Sequence, residues 1–212
     1  RQMCIRDSDT TGYQAKALFQ SALDEVALHN YQSGPNADTR RDIGGLSLGT
    51  QLAGSTISQD QGAVKQTGHA SDFALLSEGY FVVPNNAGQR LYTRNGDFTV
   101  NQQNQYVTQE GYLVLGANGQ AVSALGPANF QIQSFPPEAL TTDGQNYVTS
   151  NAAGTNVNAP VIQQGALEQA NVSVADEMVA MIQTSREFEA NQKVLSSTNQ
   201  TLQKAVNELG KI

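Results

Sequence analysis

The C-terminal part of the chain places apolar side chains seven positions apart. One series is Val174, Met181, Phe188, Leu195, Leu202 and Leu209, and the interleaved series is Met178, Ser185, Gln192, Asn199 and Val206. This 4-3-4-3 spacing predicts one long helix with an apolar stripe along one side. Ser173 precedes the pattern as a fitting N-cap, with Asp176 and Glu177 in the first turn.

The middle of the second series is polar, and this decides how the helix can pack. Ser185, Gln192 and Asn199 would be costly in the core of a two-stranded coiled coil, because buried polar groups need hydrogen-bond partners. A helix surrounded by several neighbours can satisfy them laterally. We therefore predict a subunit-packing seam formed by Val174, Met178, Met181, Phe188, Leu195, Leu202, Val206 and Leu209. The alternative is an amphipathic helix that faces the core of its own chain.

The rest of the chain changes from a helical period to a period of two. Apolar positions at 15, 18, 19, 22, 23 and 26 predict a helix over residues 13–33, and Gly34-Pro35 ends it. Residues 34–50 are rich in Gly, Asn and Asp and predict a loop. Short strands are predicted at 80–83, 90–93, 97–100, 105–108 and 112–115. Asn95-Gly96 predicts a tight hairpin between two of them, with φ > 0 at both positions.

These elements predict an α+β fold in which N- and C-terminal helices form a coiled-coil-like module and flank a central antiparallel β barrel or sandwich. The predicted organisation is a helical segment and linker at 9–45, a β domain at 46–135, a linker at 136–170 and the long helix at 171–212. Residues 1–8 show no periodicity, and we expect them to be foreign to the natural protein.

Composition narrows the possible partners. Charged residues make up 15% of the chain and the net charge is −7. An acidic chain lacks the basic face that a nucleic-acid partner requires, so none is expected. Few charges suit surfaces that lie against copies of themselves. We see neither a secretory signal peptide nor an apolar run long enough to span a bilayer.

Candidate chemistry is sparse. The single cysteine excludes a disulfide framework, and the two histidines, His29 and His69, do not have the spacing of a metal pair. Neighbouring carboxylates such as Glu187 and Glu189 fit a solvated helix face. We therefore expect no enzyme activity, catalytic residue, cofactor, metal or small-molecule substrate.

Three blocks of sequence resemble the flagellar axial proteins of the rod and hook class. The first runs from Gln61-Gly62 through Asp72-Phe73-Ala74-Leu75 to Gly79-Tyr80-Phe81-Val82-Val83. The second contains Tyr92-Thr93-Arg94-Asn95-Gly96-Asp97-Phe98 and Gly111-Tyr112-Leu113-Val114-Leu115-Gly116. The third runs from Gly165-Ala166-Leu167-Glu168 to Phe188-Glu189. The family-motif positions are Asp72, Gly79, Phe81, Tyr92, Thr93, Arg94, Gly96, Phe98, Gly111 and Gly116.

The resemblance implies a structural subunit of the bacterial basal-body rod, most similar to the distal-rod type. It implies self-assembly into a helical homopolymer, contacts with neighbouring rod and hook proteins, and passage through the flagellar export apparatus to the basal body. It also implies a first helix that this chain lacks. The alternatives are a hook or other hook–basal-body subunit, and a secreted binding module or adhesin.

Two roles are open for Arg94. It can make a charge-assisted contact to a neighbouring subunit, or it can order the Asn95-Gly96 hairpin within its own domain. We favour the second role, because polar side chains beside a hairpin commonly bond locally.

Overall fold

The computed structural model of the chain describes residues 2–31, 40–85, 88–142 and 146–209. In this part of the chain, two helices bracket a series of strands. They are α1 Gln2–Arg6, β1 Lys16–Ala22, β2 Val26–Tyr31, β3 Arg40–Leu46, β4 Thr50–Ile57, β5 Val64–Gln66, β6 Phe73–Leu75, β7 Tyr80–Pro84, β8 Arg90–Thr93, β9 Thr99–Val100, β10 Tyr106–Val107, β11 Ile132–Ser134, β12 Leu140–Thr142, β13 Val148–Ser150, β14 Thr155–Asn156, β15 Ile162–Gln164, β16 Ala166–Glu168 and α2 Val174–Leu209. A 3-10 turn at Pro137–Ala139 precedes β12.

The centre of the β body is a six-stranded sheet in the order β12-β13-β8-β7-β11-β14, with antiparallel neighbours. Strand β7 is buried on both faces, which explains its uninterrupted apolar run. Phe81 points into one core, whereas Tyr80 and Val82 point into the other. Because successive side chains of a strand point to opposite faces of the sheet, β7 contributes residues to both cores.

Aromatic side chains fill the first core. Phe73 packs edge-on against Phe130 with ring centroids 4.8 Å apart, and Phe81 packs edge-on against Phe98 at 5.2 Å. The cluster comprises Phe73, Leu75, Phe81, Phe98, Tyr106, Val114, Val122, Phe130 and Ile132. The second cluster comprises Ile57, Tyr80, Val82, Tyr92, Phe135, Leu140 and Val148.

The α+β class is confirmed, but the predicted barrel is wrong. In the described residues the central sheet stays open, with β12 and β14 as its edges, and the other ladders have two strands each. Several strands are two residues long, too short to continue the ladder around a closed barrel.

Residues 16–22 and 26–31 are strands rather than the predicted helix. Strand β1 pairs with β4 and β2 pairs with β3, so that these four strands form a long two-stranded ribbon with register shifts after Phe19 and Leu28. The predicted loop at 34–50 likewise contains β3, while residues 32–39 lie outside the described residues. The apolar spacing over 15–26 fits a helix, but pairing with residues 40–57 supplies ladder hydrogen bonds that a local pattern does not show.

Strands also lie within residues 136–170, where a linker is predicted. Strand β12 pairs with β13, and β13 continues the ladder to β8. Strands β15 and β16 pair with β6 and β5. These segments return to strands formed early in the chain, a long-range pairing that turn residues in the sequence do not reveal.

The predicted Asn95-Gly96 hairpin is also wrong. Strand β8 pairs with β7 and β13, and neither Asn95 nor Gly96 has a positive φ. The Gly96 carbonyl instead accepts a hydrogen bond from the Phe73 N–H at 3.0 Å, which joins this turn to β6.

The long C-terminal helix is confirmed. Helix α2 has 36 residues, and Ser173 caps it by accepting a hydrogen bond from Asp176 N at 3.4 Å. The N-terminal half of the predicted coiled-coil module is not confirmed in the described residues, where α1 is the sole helix before α2 and has five residues.

Candidate assembly surface

The predicted seam faces solvent in the single chain. Phe188 is 63% exposed and Leu195 is 65% exposed, and Met178, Met181, Leu202 and Val206 are also exposed. Val174, at the root of the helix, is partly buried, and the side chain of Leu209 lies outside the described residues. The structure therefore places the predicted seam residues on one helix and leaves six of the eight side chains exposed.

Helix α2 extends away from the β body. Every residue from 181 to 208 is exposed. At about 1.5 Å per residue, a helix of 36 residues is roughly 54 Å long. A helix that buries none of its apolar residues along most of its length gains little stability from its own chain.

The ribbon formed by β1–β4 carries a second apolar surface, which the sequence analysis missed. Val26 pairs with Leu46, and Leu28 lies two residues along on the same face. All three side chains are exposed, as are Leu18, Phe19, Leu48 and Leu52. A two-stranded ribbon is marginally stable alone in water, so this surface also lacks a cover in the single chain.

The family-motif residues, apart from the exposed Gly111, lie inside the β body. Asp72, Phe81, Tyr92, Thr93, Arg94, Gly96 and Phe98 are buried. Gly79, Gly111 and Gly116 lie in turns or beside neighbouring backbone. The motif therefore builds the fold, and it does not form the exposed surface.

Arg94 is the most constrained of these residues. Its Nη1 donates to both carboxylate oxygens of Glu168 at 3.1 Å, its Nε to the Gly79 carbonyl at 3.0 Å and its Nη2 to the Ser77 carbonyl at 2.8 Å. The two side chains are 3% and 2% exposed. Burial raises the pKa of the Glu168 carboxyl, while Arg94 and the Gly62 N–H oppose the change. Arg94 therefore acts within its own domain, as favoured, but its partner is β16 rather than the Asn95-Gly96 turn.

Gly96 is required by a close backbone approach. A Cβ atom built at this position would lie 1.6 Å from the Phe73 carbonyl oxygen. The Phe73 N–H donates to the Gly96 carbonyl, so moving the two segments apart would break this contact. Any larger residue forces the turn away from β6.

We expect Gly96→Ala to lower the free energy of unfolding of the β body by about 1–3 kcal/mol, the usual cost of overpacking. Thermal unfolding followed by circular dichroism measures the change. The matched control is Gly126→Ala, because a Cβ atom there meets nothing within 4 Å. Equal unfolding temperatures for the two variants would contradict the close approach.

A cleft of about 600 Å³ lies between residues 9–16 and the segments around 93–97, 108–110 and 146–148. Two of its carboxylates are already engaged, since Tyr147 donates to Glu110 and Gln109 donates to Asp97. In the described residues, no group of three His, Cys, Asp or Glu side chains is arranged to hold a metal ion. None of the described helices is long and apolar enough to cross a membrane.

Comparison with known families matches two regions of the chain. Residues 74–181 match the family described as flagellar hook protein FlgE/F/G D1 domain. Residues 163–208 match the flagellar basal body rod FlgEFG protein C-terminal family. The first match spans the central sheet and every family-motif position except Asp72, and the second spans β16 and nearly all of α2.

Individual relatives agree with the two matches. The flagellar basal-body rod protein FlgF of Caulobacter vibrioides is 34% identical over 72% of this chain and 71% of its own length. The basal-body rod protein FlgG of Buchnera aphidicola is 29% identical over 94% and 89%, and the hook-basal body complex protein FlhP of Bacillus subtilis is 29% identical over 93% and 88%. The chain is a member of the flagellar rod and hook protein family.

Proposed function

We propose that this chain is a structural subunit of the bacterial flagellar basal-body rod, and that it polymerises helically through α2 into the shaft that transmits torque. The observation that carries the proposal is the uncovered seam of α2. Six of its apolar side chains are exposed in the single chain. The helix lies almost wholly within residues 163–208, which match the C-terminal region of the rod family.

The energetics favour assembly over an isolated fold. Fully burying a large apolar side chain stabilises by about 1.5–3 kcal/mol. Phe188, Leu195 and Leu202 are each more than half exposed, so most of that stabilisation is still to be gained. The helix gains it when neighbouring helices arrive, and polymer growth then completes its folding.

The polar residues in the middle of the seam indicate how many helices surround α2 in the polymer. Ser185, Gln192 and Asn199 lie within the seam, and several surrounding helices can pair with them. We propose that α2 packs in a coiled-coil-like module with an N-terminal helix of the family type and with α2 helices of adjacent subunits. These helices form the inner tube of the shaft.

The ribbon and the β body form the outer layer in this proposal. The apolar face of Val26, Leu28 and Leu46 is exposed, and contact with the next subunit would cover it. The buried motif keeps the β body rigid beneath the ribbon. A stiff outer layer resists twisting when the shaft turns.

The proposed partners are copies of this chain and neighbouring rod and hook proteins. We propose that the chain reaches the basal body through the flagellar export apparatus. The function is structural, without catalysis, cofactor or small-molecule substrate. A second candidate is a hook–basal-body subunit outside the rod, which the similarity to the FlhP protein of Bacillus subtilis favours.

Deleting the gene in the bacterium that encodes it, followed by electron microscopy of purified basal bodies, tests the rod assignment. We expect rings without a complete rod or hook. Complete rods that lack a hook would favour the second candidate. Intact flagella on motile cells would contradict the axial function and favour a secreted binding module.

We expect the combined change Val26→Ser, Leu28→Ser and Leu46→Ser to reduce incorporation into basal bodies at least about tenfold. Each side chain loses roughly 1 kcal/mol or more of apolar burial, and about 1.4 kcal/mol changes an equilibrium tenfold. Quantitative immunoblotting of purified basal bodies measures the incorporation. The control is Gln20→Ser with Gln51→Ser, two exposed polar positions of the same ribbon. Equal incorporation of the two variants would contradict the role of the apolar face.

A further inference from the structure

Three segments of the chain meet where α2 leaves the β body. The first is the N-terminal segment 12–15, the second is the end of the ribbon at 58–63, and the third is the root of the helix at 168–171. Family membership alone does not explain why hydrogen bonds join these three segments. The contacts concentrate on two residues, Glu168 and Asn171.

Asn171 uses both ends of its side-chain amide. Its Oδ1 accepts from the Ala15 N–H at 2.6 Å, and its Nδ2 donates to the Asp60 carbonyl at 2.9 Å and to the Ser58 carbonyl at 3.3 Å. Its own N–H donates to the Tyr13 carbonyl at 3.2 Å. One asparagine therefore ties the root of the helix to both of the other segments.

Glu168 anchors the same root to the β body. Its carboxylate binds Arg94 and accepts from the Gly62 N–H at 3.0 Å, and its carbonyl accepts from the Gly12 N–H at 2.8 Å. The next residue, Gln169, donates its N–H to the Ala63 carbonyl at 2.8 Å. The chain is thus fixed at 168, 169 and 171, and α2 begins at Val174.

We infer that Asn171 is a positioning residue that fixes the direction in which α2 leaves the β body. Two residues, Val172 and Ser173, separate this anchor from the first helical residue. Without the amide, the bonds at residues 168, 169 and 171 still attach the root to both segments, but the side-chain bonds to Ala15, Ser58 and Asp60 that narrow its orientation are lost.

The length of α2 amplifies any change at its root. Over roughly 54 Å, a rotation of about 10° moves the far end by about 9 Å, which equals the distance between packed helices. In a helical polymer, α2 must leave the β body in the same direction in every subunit. A displacement of that size would move the seam of one subunit out of contact with the helix that it packs against. This consequence rests on the proposed rod function, whereas the direction itself is a property of the isolated chain.

Distance measurements between two spin labels on the isolated chain test the inference. One label is attached through Gln120→Cys on the β body and the other through Lys193→Cys on α2, in a Cys4→Ser background; both positions are exposed. Double electron–electron resonance then gives the distribution of distances. A freedom of about 10° at the root displaces residue 193 by about 5 Å, since it lies about 19 residues along the helix at ~1.5 Å each.

We expect Asn171→Ala to broaden or shift this distribution by about 5 Å, the displacement that the helical rise gives for a rotation of about 10°. Asn171→Asp keeps the acceptor for Ala15 N but sets a carboxylate oxygen against the carbonyls of Ser58 and Asp60, so we expect a comparable change. Thermal unfolding of the β body should stay close to that of the wild type in both variants. The control is Asn101→Ala, which removes caps on the N–H groups of Gln103 and Gln105 in a turn of the β body. The control should leave the distance distribution unchanged.

An unchanged distribution in both Asn171 variants would overturn the inference. Cooperative unfolding of the whole β body in both variants would also overturn it, because Asn171 would then be a general stability residue. A changed distribution in a protein whose gene deletion leaves flagella intact would retain the positioning role and reject the rod function. The two claims can therefore fail separately.

Discussion

Leu195→Asp is expected to abolish incorporation of this chain into basal bodies while the β body unfolds at the wild-type temperature. The side chain is exposed in the single chain, so an aspartate there is solvated and harmless before assembly. Assembly would bury its charge inside the seam without a partner, at a cost of several kcal/mol. Electron microscopy of basal bodies and motility of complemented deletion cells measure the effect.

The matched control for this variant is Val194→Asp. Val194 is 64% exposed, almost equal to the 65% of Leu195, and it lies on the same helix but outside the seam. It should assemble, because a charge beside the seam can remain solvated. Normal rods with Leu195→Asp, or equal failure of both variants, would contradict the seam as the assembly surface.

Arg94→Met is expected to destabilise the β body by about 3–5 kcal/mol, because it leaves the Glu168 carboxylate buried without a counter-charge. This is a large part of a typical total stability of about 5–15 kcal/mol. For a chain of this size the unfolding temperature should fall by about 10 °C or more. Calorimetry or circular dichroism measures it.

Two further variants distinguish the stability lost with the ion pair from the stability lost by removing any arginine. Arg90→Met, at the exposed start of β8, should change the stability by no more than about 0.5 kcal/mol. The double variant Arg94→Met/Glu168→Leu should recover much of the loss, because no uncompensated charge remains. If Arg94→Met unfolds at the wild-type temperature, the buried ion pair does not stabilise the fold.

The parts of the fold that follow a regular period could be predicted from the sequence. The heptad spacing from Val174 onward predicts α2, and the structure confirms the helix and its Ser173 cap. Strands β7 and β8 are confirmed, and the alternating residues of β7 face two cores. The three motif blocks predict the flagellar rod and hook family, and the comparisons confirm it.

The parts that depend on distant pairing could not be predicted. Leu18, Phe19 and Val26 fit a helical face, yet strands β3 and β4 draw these residues into a ribbon. Arg94 meets Glu168 across 74 positions, and Asn171 meets Ala15 across 156, so neither contact leaves a local pattern. Glu168 and Asn171 lie within the third family block, but no spacing in the sequence indicates their roles.

The most direct test of the central claim is thiol labelling of the seam in assembled basal bodies. The variant is Leu195→Cys in a Cys4→Ser background, introduced into deletion cells and checked for restored motility. Maleimide labelling is measured on the soluble chain, on intact purified basal bodies and on the same basal bodies after dissociation. Fast labelling of the soluble and dissociated protein, with protection in intact basal bodies, is the result we predict. Equal labelling of intact and dissociated basal bodies would contradict burial of the seam in the rod.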